Sequence, residues 1–476
     1  MGNIALPLNP KLYKNVDGSV NTSSLTKLID CYADESGAIS KRWGLDLFKN
    51  LSTSESVDGA YWWAEQEWLI VVSGGSIFKI TANPSMTEFT VTDVTGSQLL
   101  SGRIVTFERS SSALYMANGT NIIKLGLTGT TSAVTGPNIP SAVDSITVLN
   151  LRLIAVSTTD GKFYWSDTND YETFQASSFA EAEVIPDDIL AVKRIFKELF
   201  LFGSNSIEVW YDNGSALVAQ VGAYINSGCG AKNSITLVDS EVYWLDNKRN
   251  IVRATASSRQ PEVISLPISL ELQNLSYVLD GIGNFLNIAG KKFFTIKFGR
   301  ADKTFVFNII TNEWHEWGYW DTTVADHQDF IGNVYVYCEK WNKHLWGSRN
   351  NDGLLYLMQS DVYQDNGNKI NSIIRTGHIT HSTLTEKVCN RLALRLKRGE
   401  TSDSTTDFKF SVKWNDNNRG FGNPVELSIG ARGDTEFFQE IAPMGRYRSR
   451  QYEFSFSENA SFILISAEEN IEGKDK

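Results

Sequence analysis

Apolar runs recur along this chain, each meeting a Gly, Asn or Asp turn and resuming as a second strand. Leu69-Ile70-Val71-Val72 turns at Gly74-Gly75 into Ile77-Phe78-Lys79-Ile80. The same unit runs from Ala113 to Leu125, from Leu153 to Trp165, from Leu199 to Trp210 and from Val242 to Arg253. The turns fall at Gly75, Gly119, Gly161, Ser204 and Asn247, at steps of 44, 42, 43 and 43 residues. Strands without helices at a step of roughly 40–50 residues predict a β-propeller. Leu69 to Val72 is apolar at every position. That pattern predicts strands covered on both faces, as where blade packs on blade.

After the fifth unit the step lengthens. Phe293 to Phe298 turns at Gly299-Arg300-Ala301-Asp302 into Thr304 to Ile309, and His344 to Gly347 turns through Asn350-Asn351-Asp352-Gly353 into Leu354 to Met358. These units predict an all-β chain with a six- or seven-bladed propeller over residues 56–370. Residues 1–55 read as an N-terminal arm with short strands at Leu25–Asp30 and Ser40–Leu45. The arm either closes its own ring or reaches a neighbouring subunit. Leu392 to Lys397 and Phe408 to Trp414 alternate apolar and charged positions, as half-exposed sheet does. They predict a separate small C-terminal β-sandwich over 371–467. Residues 468–476 read as a charged, frayed tail.

Composition narrows the function. The net charge of −11 argues against a free nucleic-acid binder, whose affinity rests on cationic contacts to phosphate. Four dispersed cysteines, Cys31, Cys229, Cys338 and Cys389, make no CxxC pair and read as free thiols. The N-terminus does not read as a signal peptide, and no apolar run approaches the ~20 residues of a membrane helix. A soluble protein made in the cytosol is expected.

Candidate chemistry is sparse. His378-x-x-His381 is the closest histidine pair, and on a strand its members face opposite ways. The Asn/Asp turns lack the acidic run and terminal Glu of a calcium loop. No nucleophile elbow, phosphate loop or zinc-protease motif occurs. Neither metal nor cofactor is expected. Trp165-Ser166-Asp167-Thr168-Asn169-Asp170-Tyr171-Glu172-Thr173-Phe174 is similar to the Asp-box turn of propellers, without its usual Gly. Asp167, Asp170 and Phe174 are its structural turn residues. Arg446, Arg448 and Arg450 alternate. On one strand they would share a face, either as a solvated surface or as an interface to acidic groups of a neighbour.

Several segments together resemble the packaged-DNA stabilisation protein, or tail hub (nozzle), of short-tailed bacteriophages. They include Ala117-Asn118-Gly119-Thr120-Asn121, Phe163-Tyr164-Trp165-Ser166-Asp167 and Leu201 to Tyr211, read as LFGSNSIEVWY. Val412 to Phe421 and Met444 to Phe454 add to it in the last domain. The resemblance implies a structural virion protein, forming a hexameric ring in the head-to-tail connector below the portal and its adaptor. That ring retains packaged dsDNA, which passes through the lumen without sequence-specific binding. It also anchors the tail needle or plug and the tailspikes or fibres. Six copies at −11 carry −66. A lumen of that sign would let DNA slide without adhering, within about 10 Å of the wall.

The rival class is a propeller glycosidase or lectin acting on host-surface glycans. Glycosidase chemistry needs a positioned acid and nucleophile, and no spacing here singles out such a pair. A non-enzymatic hub is the expectation, found in the virion tail.

Overall fold

The computed structural model describes residues 2–8, 25–182, 187–255, 258–397, 407–430 and 438–473. Seven four-stranded antiparallel blades surround a central channel. Six take their strands consecutively from the chain. Blade 1 comprises Val57–Trp63, Trp68–Ser73, Ser76–Ala82 and Phe89–Asp93. Blades 2 to 6 occupy 106–133, 143–180, 189–225, 236–263 and 282–316. The seventh is composite. Gly332–Cys338, Lys343–Ser348 and Leu354–Gln359 supply three strands, and Gly44–Asn50 supplies the fourth. It pairs antiparallel in the register Leu45↔Met358 and Leu47↔Tyr356.

The repeating apolar unit is the second and third strand of each blade. Trp68–Ser73 is buried from Leu69 onward because blades cover it on both faces. Seven buried apolar clusters follow, one at each blade-to-blade junction. Leu69 and Val71 join Val336 and Leu345 between blades 1 and 7, while Ile70 and Val72 join Leu114 and Met116 between blades 1 and 2. Opposite faces of one strand thus serve two interfaces. At the tight turn, Gly75 has φ +79°, and a Cβ there would lie 2.3 Å from the Leu99 carbonyl oxygen. Only glycine satisfies both conditions.

The C-terminal region is a two-layer sandwich, but not a separate one. One layer continues outward from blade 6. Leu25–Ile29 lies parallel beside Glu313–Glu316, and then come Ser372–Thr376, Arg450–Phe456, Phe408–Asp416 and Val425–Gly430. The other layer joins Cys31–Ala33 and Ile39–Lys41 to Ile463–Gly473, Lys387–Lys397 and Phe438–Ile441, with Gly2–Ala5 and Gly445–Tyr447 at its margins. Leu392, Leu394 and Leu464 pack with Phe410, Val412 and Phe454 in the same cluster that fills the junction of blades 5 and 6. The boundary expected at 371 therefore divides a continuous core, and the N-terminal arm belongs to both bodies. The frayed tail expected at 468–476 is corrected over 468–473, while 474–476 lie outside the described residues. Ile463–Gly473 is a strand paired with Lys387–Lys397 on one side and with Gly2–Ala5 on the other.

Arg42 joins these parts. It stands just before the ring-closing strand and is fully buried. Its Nε donates to Asp30 Oδ1 at 2.7 Å, and Nη1 donates to Asp365 Oδ1 at 2.9 Å and to the Trp43 carbonyl at 3.0 Å. Nη2 donates to Asp365 Oδ2 at 2.5 Å and to the Gly318 carbonyl at 2.8 Å. All five N–H donors of the guanidinium are used. Its flat face lies 5.0 Å from the Phe330 ring centroid. Asp30 ends the strand beside blade 6, and Asp365 pairs beside Leu45 at blade 7. One guanidinium therefore ties the arm to both blades. Arg42→Leu leaves two buried carboxylates without their counter-charge, and we expect it to cost about 3–5 kcal/mol in urea unfolding. A change under about 1 kcal/mol would show that the ion pairs do not hold the closure.

Candidate functional site

The innermost strands of the blades line the channel, and their openings repeat one device. In blades 1, 3, 4 and 7 the inner strand carries a β-bulge at its second residue. Three of those residues are polar: Asp58, Asp144 and Asn333. A bulge re-aims a side chain out of the alternation of its strand. Here these three face the channel and its mouth. Asp58 Oδ2 accepts the Gly102 amide at 2.9 Å, and Asp144 pairs with Lys232. Asn333 Oδ1 accepts from Lys297 Nζ at 2.8 Å, while its Nδ2 donates to the Val57 carbonyl at 2.9 Å.

Lys297 and Asp329 lie deeper in the same wall. Nζ also donates to the Gly332 carbonyl at 3.1 Å and lies 4.0 Å from Asp329 Oδ2, and Arg349 Nη1 is 2.8 Å from Asp329 Oδ1. Burial pushes the Lys297 ammonium down to about 7 and the Asp329 carboxyl up to about 6. This wall sets basic groups and a carboxyl side by side. Among the described residues, no group of three His, Cys, Asp or Glu side chains is placed to hold a metal.

The arginine row does not form as expected. Gly445–Tyr447 ends before a bend at 448–449, and Arg450 opens the next strand in the other layer. Arg446 is exposed, 3.9 Å from Glu386, and Arg448 is exposed beside Leu384. Arg450 is fully buried. Its Nε and Nη2 bind the two carboxylate oxygens of Asp416 at 2.6 and 2.9 Å, and Nη2 also donates to the Met444 carbonyl at 2.8 Å. Asn417 Oδ1 accepts the amides of Arg448 and Ser449 at 2.8 and 3.2 Å, which fixes the bend. Arg450 is thus an anchor, and only Arg446 and Arg448 remain for contact.

The turn residues also separate. Thr168 and Asn169 make a two-residue hairpin, with Asn169 at φ +61°. Asp170 is exposed and accepts the Glu172 amide at 3.0 Å, which caps its own strand. Asp167 is half-buried and accepts from Gln175 Nε2 at 2.6 Å. Phe174 is fully buried with Tyr171 between blades 2 and 3. An aromatic packs beneath the turn, but a buried Asp binding turn amides is not present at either position.

Sequence reasoning missed the buried polar groups. Glu469, assigned to the tail, sits fully buried and accepts hydrogen bonds from His381 Nε2 and Tyr447 Oη, both at 2.7 Å, and from Tyr452 Oη. Burial raises its pKa, but these bonds outweigh it and hold the carboxyl below its ordinary value. His381 therefore meets a carboxylate, while His378 stands apart from that cluster. His315 is buried in the outermost strand of blade 6, edge-on to Phe293 at 5.6 Å, and its Nε2 has no hydrogen-bond partner. Burial pulls its pKa down to about 3.

A closed propeller with a fused sheet domain, braced by buried ion pairs, defines a rigid β-propeller scaffold. A family model described as "Bacteriophage P22 Gp10, beta-propeller" matches residues 27–363. The chain belongs to this family of phage DNA-stabilisation tail proteins, which are structural virion components. A search of curated proteins finds no match. Among solved structures, the WD40 propeller domain of Doa1 is similar at 12% identity and TM-score 0.44, over 67% of this chain and 97% of that one. The N-terminal domain of Nup159 aligns at 8% identity and TM-score 0.43, over 69% and 98%. The designed protein Ika8 aligns at 11% and 0.42, over 66% and 99%. Likeness at that level carries no argument about function.

The buried histidine sets an acid limit. Its folded pKa lies below the ordinary 6.5, so its contribution is complete above pH 6.5 and is lost as pH falls toward 3. Glu469 contributes above 4.5 and loses that contribution as pH falls through its lower folded value. We expect stability to decline below pH 6.5, and His315→Phe to flatten the decline between pH 6.5 and 4.5 by up to about 1.4 kcal/mol per pH unit. Urea midpoints measured across that range check this. An unchanged slope in the variant would exclude His315 as the cause.

Proposed function

We propose that six copies of this chain form a ring in the phage tail, below the portal and its adaptor. The ring retains packaged dsDNA and gives the tail needle and the spikes or fibres their seats. The chain is made in the host cytoplasm and acts without catalytic turnover. The observation that carries this reading is the family match across residues 27–363.

The physical features agree with it. A ring of identical subunits needs a heterologous contact that closes on itself. A rigid subunit serves that need, since flexible joints would spread the closing angle. Blade and sandwich share one core, so the subunit has no soft linker between them. Equivalent weak patches then add through multivalency. Arg446 and Arg448 make one candidate patch. Their backbone is pinned by Asn417 and by the Arg450–Asp416 pair, while their side chains stay exposed. Two guanidinium groups held in this way suit carboxylates of a neighbouring subunit or of the adaptor. If the lumen of the ring shares the sign of the −66 carried by six copies, it repels phosphate at short range.

Charge reversal tests the patch. Arg446→Glu with Arg448→Glu should leave the unfolding midpoint of the isolated chain within about 0.5 kcal/mol of the parent, as exposed sites do. Assembly with the adaptor, followed by sedimentation and negative-stain microscopy, should weaken by roughly tenfold or more and recover in part as salt rises, because salt screens the new repulsion. A persistent monomer in the parent chain, with or without the adaptor, would overturn the ring. An assembled lumen lined chiefly by Lys and Arg would leave the ring standing and overturn the repulsion of DNA by its wall.

A further inference from the structure

The channel widens at one end into a vestibule of about 720 Å³. It opens where the inner strands begin, on the side of the bulges. In a chain of net charge −11, this mouth gathers five cationic side chains against three carboxylates. The cations are Arg103, Lys232, Lys297, Arg300 and Arg349. Three of them are engaged, Lys232 with Asp144 and both Lys297 and Arg349 with Asp329. Arg103 and Arg300 are different. Both are exposed, and neither guanidinium has an ion-pair partner among the described residues. Arg300 is held in place, its guanidinium 4.4 Å from the Tyr277 ring centroid and its amide donating to Asp280 Oδ2 at 2.8 Å. The other oxygen, Asp280 Oδ1, is buried without a hydrogen-bond partner.

We propose that this vestibule binds an acidic peptide segment of a partner protein. Arg103 and Arg300 take its carboxylates, since a guanidinium offers parallel N–H donors to a carboxylate. The mixed signs select a peptide over a phosphate chain. A peptide brings N–H donors as well as acceptors, which a wall of both signs can use, whereas a polyphosphate brings only acceptors. A volume of this size holds several residues of extended chain. The site is in the propeller and uses neither Arg446 nor Arg448, so it stands apart from the ring contact.

Fluorescence anisotropy with labelled hexaglutamate and hexaglutamine peptides on the full chain tests the assignment. Hexaglutamate should bind roughly tenfold or more tightly than hexaglutamine, and more weakly as salt rises. Arg103→Gln with Arg300→Gln should remove that difference while the unfolding midpoint stays put, because both side chains are exposed. Equal binding of the two peptides, no binding at millimolar chain, or unchanged binding in the double variant would each overturn the proposal. Tripolyphosphate binding more tightly than hexaglutamate, and lost in the same variant, would overturn the peptide in favour of a phosphate ligand.

Discussion

Closure of the ring is the constraint on which the remaining structure depends. Seven blades can share seven apolar interfaces only if the last blade meets the first. That blade is completed by Gly44–Asn50, a strand some 300 residues distant in sequence from its partner Leu354–Gln359. The entropy of joining such distant segments must be offset where they meet. Leu45, Leu51, Val57 and Leu355 are buried there, and Arg42 fixes the approach with five hydrogen bonds. Asp30 shows the balance at that point. Burial, the largest single influence, would raise its carboxyl pKa, but the Arg42 charge, His327 and the Gly318 amide together outweigh it and keep it low.

The same short arm also builds the outer domain. Leu25–Ile29 continues the sheet of blade 6, Cys31–Ala33 and Ile39–Lys41 enter the opposite layer, and Gly44–Asn50 returns to blade 7. Within some 25 residues the chain stitches three sheets. Sheet and sandwich therefore cannot hinge freely, because bending between them would break strand pairs on both layers. A structural component of a phage tail benefits from that arrangement. The family places this chain in such a setting.

Much of the ring was legible because strands buried on both faces leave an apolar signature that does not depend on distant partners. The runs at Leu69, Leu114, Leu153, Leu199 and Val242 are of this kind. The innermost strands were less visible. Segments such as Thr106–Arg109 are short, largely polar and partly exposed rather than apolar throughout, and their role emerges only once the ring is closed. The arginine row misled for a different reason. Period two implies one face only while the strand continues, and the bend at 448–449 interrupts it. Glu469 reads as tail in the sequence because a charged residue near a terminus is ordinarily solvated. Nothing local signals that His381, Tyr447 and Tyr452 converge on it from three other segments.

A rigid subunit closed by its own arm is the central claim, and native-state hydrogen exchange tests it most directly. Amides of Gly44–Asn50 should exchange with the same opening free energy as those of Gly332–Cys338 and Ser372–Thr376, since all three would open in one cooperative event. Exchange of the Gly44–Asn50 amides at an opening free energy several kcal/mol lower, with blade 7 still protected, would contradict the account.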